Sequence, residues 1–308
     1  MQLNKFDLNL LIALDALLQE KNVTRAAERV FVSQPAMSAA LQRLRDYFTD
    51  PLLIRVGRDM ELTPRGLSLV EPVRNALLQI QATLGTQATF DPEVVERAFT
   101  LTVADHIVPQ LLPGLARRVI ADAPGVRLAI DDLSQASLSR LEYGDSDLCV
   151  MLDAPQTFGL RAYPEWCRQV ELMPVRWVCV LCRDHPYVGD ELTVEHWETL
   201  PHVMTRPAGT TADPVDRPWR GKLPDVEARV TAPGFQDLPF LLPGTTLVAM
   251  VPESVSLRLA GVLPIRALRP PADIPDCREI LLWHKRNEAD PGHAWLRDLV
   301  AEIHRHGG

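Results

Sequence analysis

Ser33-Gln34-Pro35-Ala36-Met37-Ser38-Ala39-Ala40-Leu41-Gln42-Arg43-Leu44-Arg45-Asp46-Tyr47-Phe48 is the stretch on which the reading of this chain turns. Plotted at ~100° per residue, Met37, Leu41, Leu44 and Phe48 fall in one narrow apolar stripe, and Gln34, Ser38, Gln42 and Arg45 fall in a separate polar one. The polar stripe holds side chains of the kind that hydrogen-bond base edges and phosphates. Such a helix can dock on a core with one side and read a major groove with the other. Ser33 is placed to cap it, and Pro35 is tolerated in its first turn, where no intrahelical donor is needed.

The flanking residues complete a winged helix-turn-helix over residues 1–63. Asp7 to Glu20 reads as a first helix with Asp7 as N-cap, carrying Leu10, Leu11, Leu14, Leu17 and Leu18 at helical spacing. Thr24 is expected to cap a second helix, where Ala26 and Ala27 allow close helix crossing. Leu52-Leu53-Ile54-Arg55-Val56, then Gly57, then Glu61-Leu62-Thr63 suit a two-stranded wing. Residues 64–88 read as a linker helix. Val70, Val73, Leu77, Ile80 and Leu84 are spaced three and four apart in alternation, as in a dimer seam. One amphipathic helix lying on its own domain would show the same pattern.

Charge is sorted along the chain. The formal total is −8, yet residues 1–66 hold nine Lys/Arg against eight acids, so −9 falls on the remainder. Residues 24–58 carry six Arg against three acids. A head this weakly basic binds DNA poorly alone, because phosphate neutralisation supplies most non-specific affinity. Two or more heads per molecule would offset that. The N-terminus is not a secretory signal, and no run reaches the ~20 apolar residues of a membrane span. A cytoplasmic protein with no membrane partner is expected. Five scattered cysteines do not suggest a disulfide framework. Cys179 and Cys182, three apart in an apolar strand, would face opposite sides and could neither pair nor chelate.

Residues 89–308 read as a two-lobed α/β effector domain. Strand 98–104, helix 108–121, strand 126–130, helix 137–142 and strand 148–152 form a βαβαβ run with a parallel sheet. A second run contains strand 175–182, helix 194–199 and strands 202–205 and 226–231. It continues with helix 235–242, strand 246–251 and helix 253–260. The tail, strand 280–284 and helix 291–304, is assigned back to the first lobe. Lobe I is thus about 97–168 plus 270–308, and lobe II about 169–269. Parallel sheets bind ligands at the carboxyl ends of their strands, so a cleft between the lobes is the expected site.

Asp7-Leu8-Asn9-Leu10-Leu11, Ala26-Ala27, Ser33 to Ser38, Leu41 to Arg45, Asp50 to Arg55 and Leu62-Thr63-Pro64-Arg65-Gly66 occur here in order. With them the chain resembles a LysR-type transcriptional regulator over essentially its full length. Phe90-Asp91-Pro92, Phe99-Thr100-Leu101, Cys182 to Pro186, Trp283-His284 and Trp295-Leu296-Arg297 are similar to one branch. That branch holds the rhizobial nodulation regulators and the regulators of naphthalene, salicylate and nitroaromatic degradation. The resemblance implies an effector domain like periplasmic binding proteins and a homodimer or homotetramer on double-stranded promoter DNA. It also implies an aromatic or phenolic small-molecule inducer in the cleft and an effect on RNA polymerase, as activator or repressor. Many family members carry Arg directly after the recognition-helix serine; here Ala39 stands there, which shifts more of the base reading onto Gln34, Ser38 and Gln42, although Gln42 lies further along the stripe, where phosphate contact is favoured.

The expected DNA contacts are Gln34 and Ser38 to base edges, Gln42 and Arg45 to phosphates, and Arg55 in the wing to a minor groove or backbone. Ser33 and Pro35 shape the start of the helix, and Thr24 and Thr63 are caps first and phosphate contacts second. Asp105 and His106 end the first strand of lobe I, where free backbone donors would favour an anion. His202, Thr205 and Phe235 are their expected counterparts in lobe II. No cofactor, metal site or catalytic residue is expected: GxSxG, GxGxxG and phosphate-loop patterns are missing. A solute-binding protein would explain the lobes but not residues 1–66.

Overall fold

The computed structural model describes residues 6–57, 59–85, 90–206 and 219–306. The chain divides into two compact units, Met1–Thr86 and Gln87–Gly308.

The first unit contains α1 (Leu10–Glu20), α2 (Val23–Arg29), α3 (Gln34–Phe48), β1 (Leu53–Val56), β2 (Asp59–Leu62) and α4 (Pro64–Gly85). The apolar stripe of α3 is buried as its spacing predicts: Met37, Leu41 and Leu44 meet Leu14, Leu17, Ala26 and Ala27 in one core. Ser33 caps α3 by accepting the Ala36 N–H at 3.3 Å. Two other caps differ from expectation. Asp7 turns its carboxylate onto the Asn9 N–H and is held by Arg43 at 2.8 Å, so α1 begins only at Leu10. Asn22, not Thr24, caps α2, accepting the N–H groups of Thr24 and Arg25; an Asn acceptor two residues earlier wins the role. β1 and β2 form the antiparallel wing.

Residues of the expected seam on the linker helix also pack within their own unit. Val73 is buried in the core of its own unit, and Val70 and Leu77 pack against that core. Asp15 of α1 and Arg74 of α4 form a largely buried ion pair at 2.8 Å. Ile80 is exposed, and the Leu84 side chain lies outside the described residues. Three of the five seam residues therefore hold α4 to α1, because the head needs a lid for its apolar α1 face.

The second unit holds two mixed five-stranded sheets. Sheet I has the order β4 (Val126–Asp132), β3 (Arg97–Val103), β5 (Leu148–Leu152), β12 (Cys277–His284) and β6 (Cys167–Val175). Its first three strands are parallel, with α5 (Val108–Asp122) and α6 (Ser137–Tyr143) between them. β12 returns antiparallel to β5, and α9 (Pro291–His306) packs against α5, so the tail closes lobe I as anticipated. Sheet II has the order β11 (Ile265–Leu268), β7 (Trp177–Cys182), β10 (Val248–Pro252), β8 (His202–Thr205) and β9 (Ala228–Ala232). α7 (Val194–Thr199) and α8 (Glu253–Leu259) complete the lobe.

Three readings are corrected. The expected strand 175–182 is two strands meeting at Arg176, so lobe I runs to Val175 rather than about 168. β6 is an edge strand with most side chains exposed, and its mixed polarity conceals it in the sequence. The expected helix 235–242 shrinks to a 3₁₀ turn, Leu238–Leu241, because Pro239 cannot donate in a helix interior. β11 was not expected. Cys179 and Cys182 do face opposite sides: Cys179 lies in the core with Trp177 and Leu181, and Cys182 accepts the Gly244 N–H. Burial pushes the Cys179 thiol up to about 12, which makes it inert.

Candidate functional site

In the head, Ser33, Gln34, Pro35, Ser38 and Gln42 are all exposed on α3. They are loosely organised among themselves, with Gln34 Nε2 3.4 Å from Ser38 Oγ and Gln42 donating to Asp46 at 2.9 Å. Thr24 is exposed in the first turn of α2, and Arg55 is exposed on β1, its Nε donating to the Gly57 carbonyl. Two expected phosphate contacts have other work. Arg45 folds back to donate to the carbonyls of Pro51 (2.9 Å) and Leu53 (3.1 Å), bracing the wing against α3. Thr63 is buried; its hydroxyl donates to Asp50 at 2.6 Å and accepts the Gly66 N–H at 3.0 Å. Asp50, which sequence reasoning passed over, also accepts the Leu52 N–H. Asp50, Thr63 and Gly66 thus knot the wing to α4. A Cβ on Gly66 would lie 2.5 Å from the Leu52 carbonyl oxygen, so this position needs glycine.

In the second unit, Asp105, His106, His202, Thr205 and Phe235 all line one cavity of about 380 Å³ between the two lobes. Trp197, Trp219, Met151, Met204 and Met250 give it an apolar and aromatic wall, and Asp132 and Asp237 also border it. None of these seven was expected. For Asp132 and Met151 the signal was available: they end β4 and β5, parallel neighbours of β3. Trp219 and Asp237 belong to connections, whose course the sequence does not reveal. His202 is buried, with Nε2 2.7 Å from the Trp197 carbonyl oxygen. Phe235 packs edge-on to His106 and Trp177, with ring centroids 5.7 and 5.5 Å apart.

Two of the backbone donors at the start of α5 are already engaged. Ile107 and Val108 donate their N–H groups to the carbonyls of Ala104 and Asp105. The Asp105 carboxylate crosses to lobe II, where Oδ2 accepts the Gln236 N–H at 2.7 Å. A Cβ on Gly234 would lie 2.4 Å from that oxygen, so a bare backbone lets the carboxylate in.

Behind Asp105 runs a buried chain of charge. His106 lies 3.7 Å from Asp105 and 3.4 Å from Glu279, and Glu279 meets His304 of α9 in a close contact. The His106, Glu279 and His304 side chains are all but fully buried. Burial disfavours a charged His106, but the Asp105 and Glu279 carboxylates outweigh it and hold its pKa above the ordinary value. Burial likewise opposes ionisation of Glu279, but the two imidazoles bring its carboxyl down to about 2. Neither ring nitrogen of His106 has hydrogen-bond geometry. Among the described residues no His, Cys, Asp and Glu group is arranged to hold a metal ion.

A winged helix-turn-helix unit joined in one chain to a two-lobed unit with an interlobe cavity defines a ligand-responsive DNA-binding regulator. The chain belongs to the LysR family: residues 8–67 match the bacterial regulatory helix-turn-helix protein, lysR family, and residues 93–305 the LysR substrate binding domain. It is 33% identical over 304 residues to nodulation protein D 2 of Rhizobium leguminosarum bv. phaseoli, covering 98% of this chain and 93% of that one. Among solved structures it is similar to a probable transcriptional regulator from Pseudomonas aeruginosa (29% identity, TM-score 0.64, 97% and 98% covered). Full-length OxyR from Pseudomonas aeruginosa shares the fold (TM-score 0.70, 20% identity, 97% and 95% covered). The protein is a LysR-type transcriptional regulator with a DNA-binding head and an effector-binding domain. No helix among its described residues is long and apolar enough to cross a membrane.

Proposed function

We propose that the protein binds promoter DNA through its head and responds to an aromatic or phenolic small molecule held between the lobes. The observation that carries this is the interlobe cavity, walled by Trp197, Trp219, Phe235 and several methionines. Apolar walls with a few converging polar groups are what an aromatic ligand of modest polarity requires. On the DNA side, Gln34 and Ser38 read bases, Gln42 and Arg55 touch the backbone, and Thr24, Ser33 and Pro35 set the approach. Arg45 and Thr63 act indirectly, by fixing the wing. The head's weak net charge favours a homodimer or homotetramer, in which several heads engage one promoter and the ligand changes their spacing and the access of RNA polymerase.

Footprinting of the purified regulator on the promoter nearest its own gene, with and without phenolic and aromatic ligands, tests the reading. A palindromic protected site whose pattern changes with ligand is the expected result. Tight ligand binding with no protected site would instead favour a solute-binding protein.

A further inference from the structure

We infer that Asp105 selects the charge of the ligand: the cleft takes a non-anionic aromatic molecule that donates a hydrogen bond to this carboxylate, and it rejects aromatic carboxylates. This rests on the reading of the cleft as an aromatic ligand site and adds to it the ligand's charge class.

Three observations support it. Asp105 has one oxygen committed to the Gln236 N–H, and about a third of its side chain (36%) remains exposed in the cavity. An ionised carboxylate has spare acceptor sites and no donor, so its partner must bring the hydrogen. Next, the other ionisable groups on the cavity wall are Asp132, Asp237 and the two histidines, and no Lys or Arg is found among the described lining residues. Of the two histidines, His106 is fully buried and already faces two carboxylates, Asp105 at 3.7 Å and Glu279 at 3.4 Å. Finally, at the start of α5 the Ile107 and Val108 N–H groups are bonded to the carbonyls of Ala104 and Asp105, so two donors that a carboxylate ligand would seek there are taken. An incoming anion would meet like charge in a partly apolar cavity, where screening is weak.

Isothermal titration of the full-length protein at pH 7.5 with three matched probes tests this. The probes are 4-hydroxybiphenyl, 4-(aminomethyl)biphenyl and biphenyl-4-carboxylate. The hydroxyl and ammonium probes should bind at least about tenfold more tightly than the carboxylate, a margin well within what one like-charge contact at reduced dielectric supplies. Asp105→Asn keeps an acceptor for Gln236 and removes the charge, so it should narrow that gap to within about threefold. A carboxylate probe that binds wild type as well as the hydroxyl probe overturns the inference while leaving the cleft an aromatic site. Unchanged selectivity in Asp105→Asn also overturns the role of this residue. If none of the three binds, the aromatic reading of the cleft falls, and the inference with it.

Discussion

Replacing Glu279 by Gln keeps the shape of the buried chain and removes the charge that two imidazoles share. Burial alone would push this carboxyl up; instead His106 and His304 bring it from 4.5 to about 2. At 1.36 kcal/mol per pH unit, that shift corresponds to about 3 kcal/mol of stability at neutral pH. The size agrees with the 3–5 kcal/mol typical of removing one partner from a buried ion pair. For a unit of this length the loss should lower the midpoint of thermal unfolding by about 6–12 °C. The pH dependence gives a sharper check. Glu279 has a depressed pKa, so its contribution is complete above about 4.5 and fades as pH falls toward 2. His106 has a raised pKa, so its contribution is complete below about 6.5 and is lost as pH climbs through its folded value. Both are therefore in force between about pH 4.5 and 6.5, where calorimetry of Glu279→Gln should show the largest deficit against wild type. At pH 3 the gap should shrink. A variant within about 2 °C of wild type at pH 6, or a deficit that does not change at pH 3, would refute the charged-chain argument.

In the head, Arg55→Ala should weaken binding to every DNA sequence and reduce the salt slope by about one. Gln34→Ala should instead relax preference at one base pair, at a cost of about 1–3 kcal/mol on the specific site; equal losses on specific and random duplexes in fluorescence anisotropy would contradict that division. Gly66→Ala forces a Cβ to 2.5 Å from the Leu52 carbonyl oxygen, so the head should lose about 1–3 kcal/mol in urea titration, with a displaced wing. Arg74→Ala strands the Asp15 carboxylate in a largely buried position. It should destabilise the head by about 3 kcal/mol or more, and Asp15→Asn in the same background should recover part of the loss.

How far the residues themselves disclosed the structure depended on the reach of each signal. The apolar face of α3 and the Ser33 cap are written in spacing over a few residues and stand as read; α4 starts at Pro64, where the linker helix was expected to begin. The return of β12 to lobe I followed from the tail's need for a sheet. β6 escaped because an edge strand does not bury a regular face. The Phe235 segment misled because apolar residues at helical spacing hide the effect of Pro239. All five residues named for the cleft line one cavity. Glu279 and His304 could not be foreseen. They lie 25 residues apart on different elements, and only the folded path of β12 and α9 joins them beneath His106. The three-four repeat of α4 shows what periodicity leaves open. A three-four repeat reports that a helix has an apolar side, not what covers it, and here the core around α1 covers part of it.

That covering has a mechanical consequence. Val73, Leu77 and the Asp15–Arg74 pair bind α4 along α1, and the Asp50–Thr63–Gly66 knot holds its first turn to the wing, so α4 is fastened to the head at two places. It is a handle. A twist delivered near Ile80 turns the whole block, so Gln34, Ser38 and Arg55 swing through one common angle. Shortening or softening the helix after Leu77 would then change how far that exposed face travels, while leaving the side chains it presents untouched.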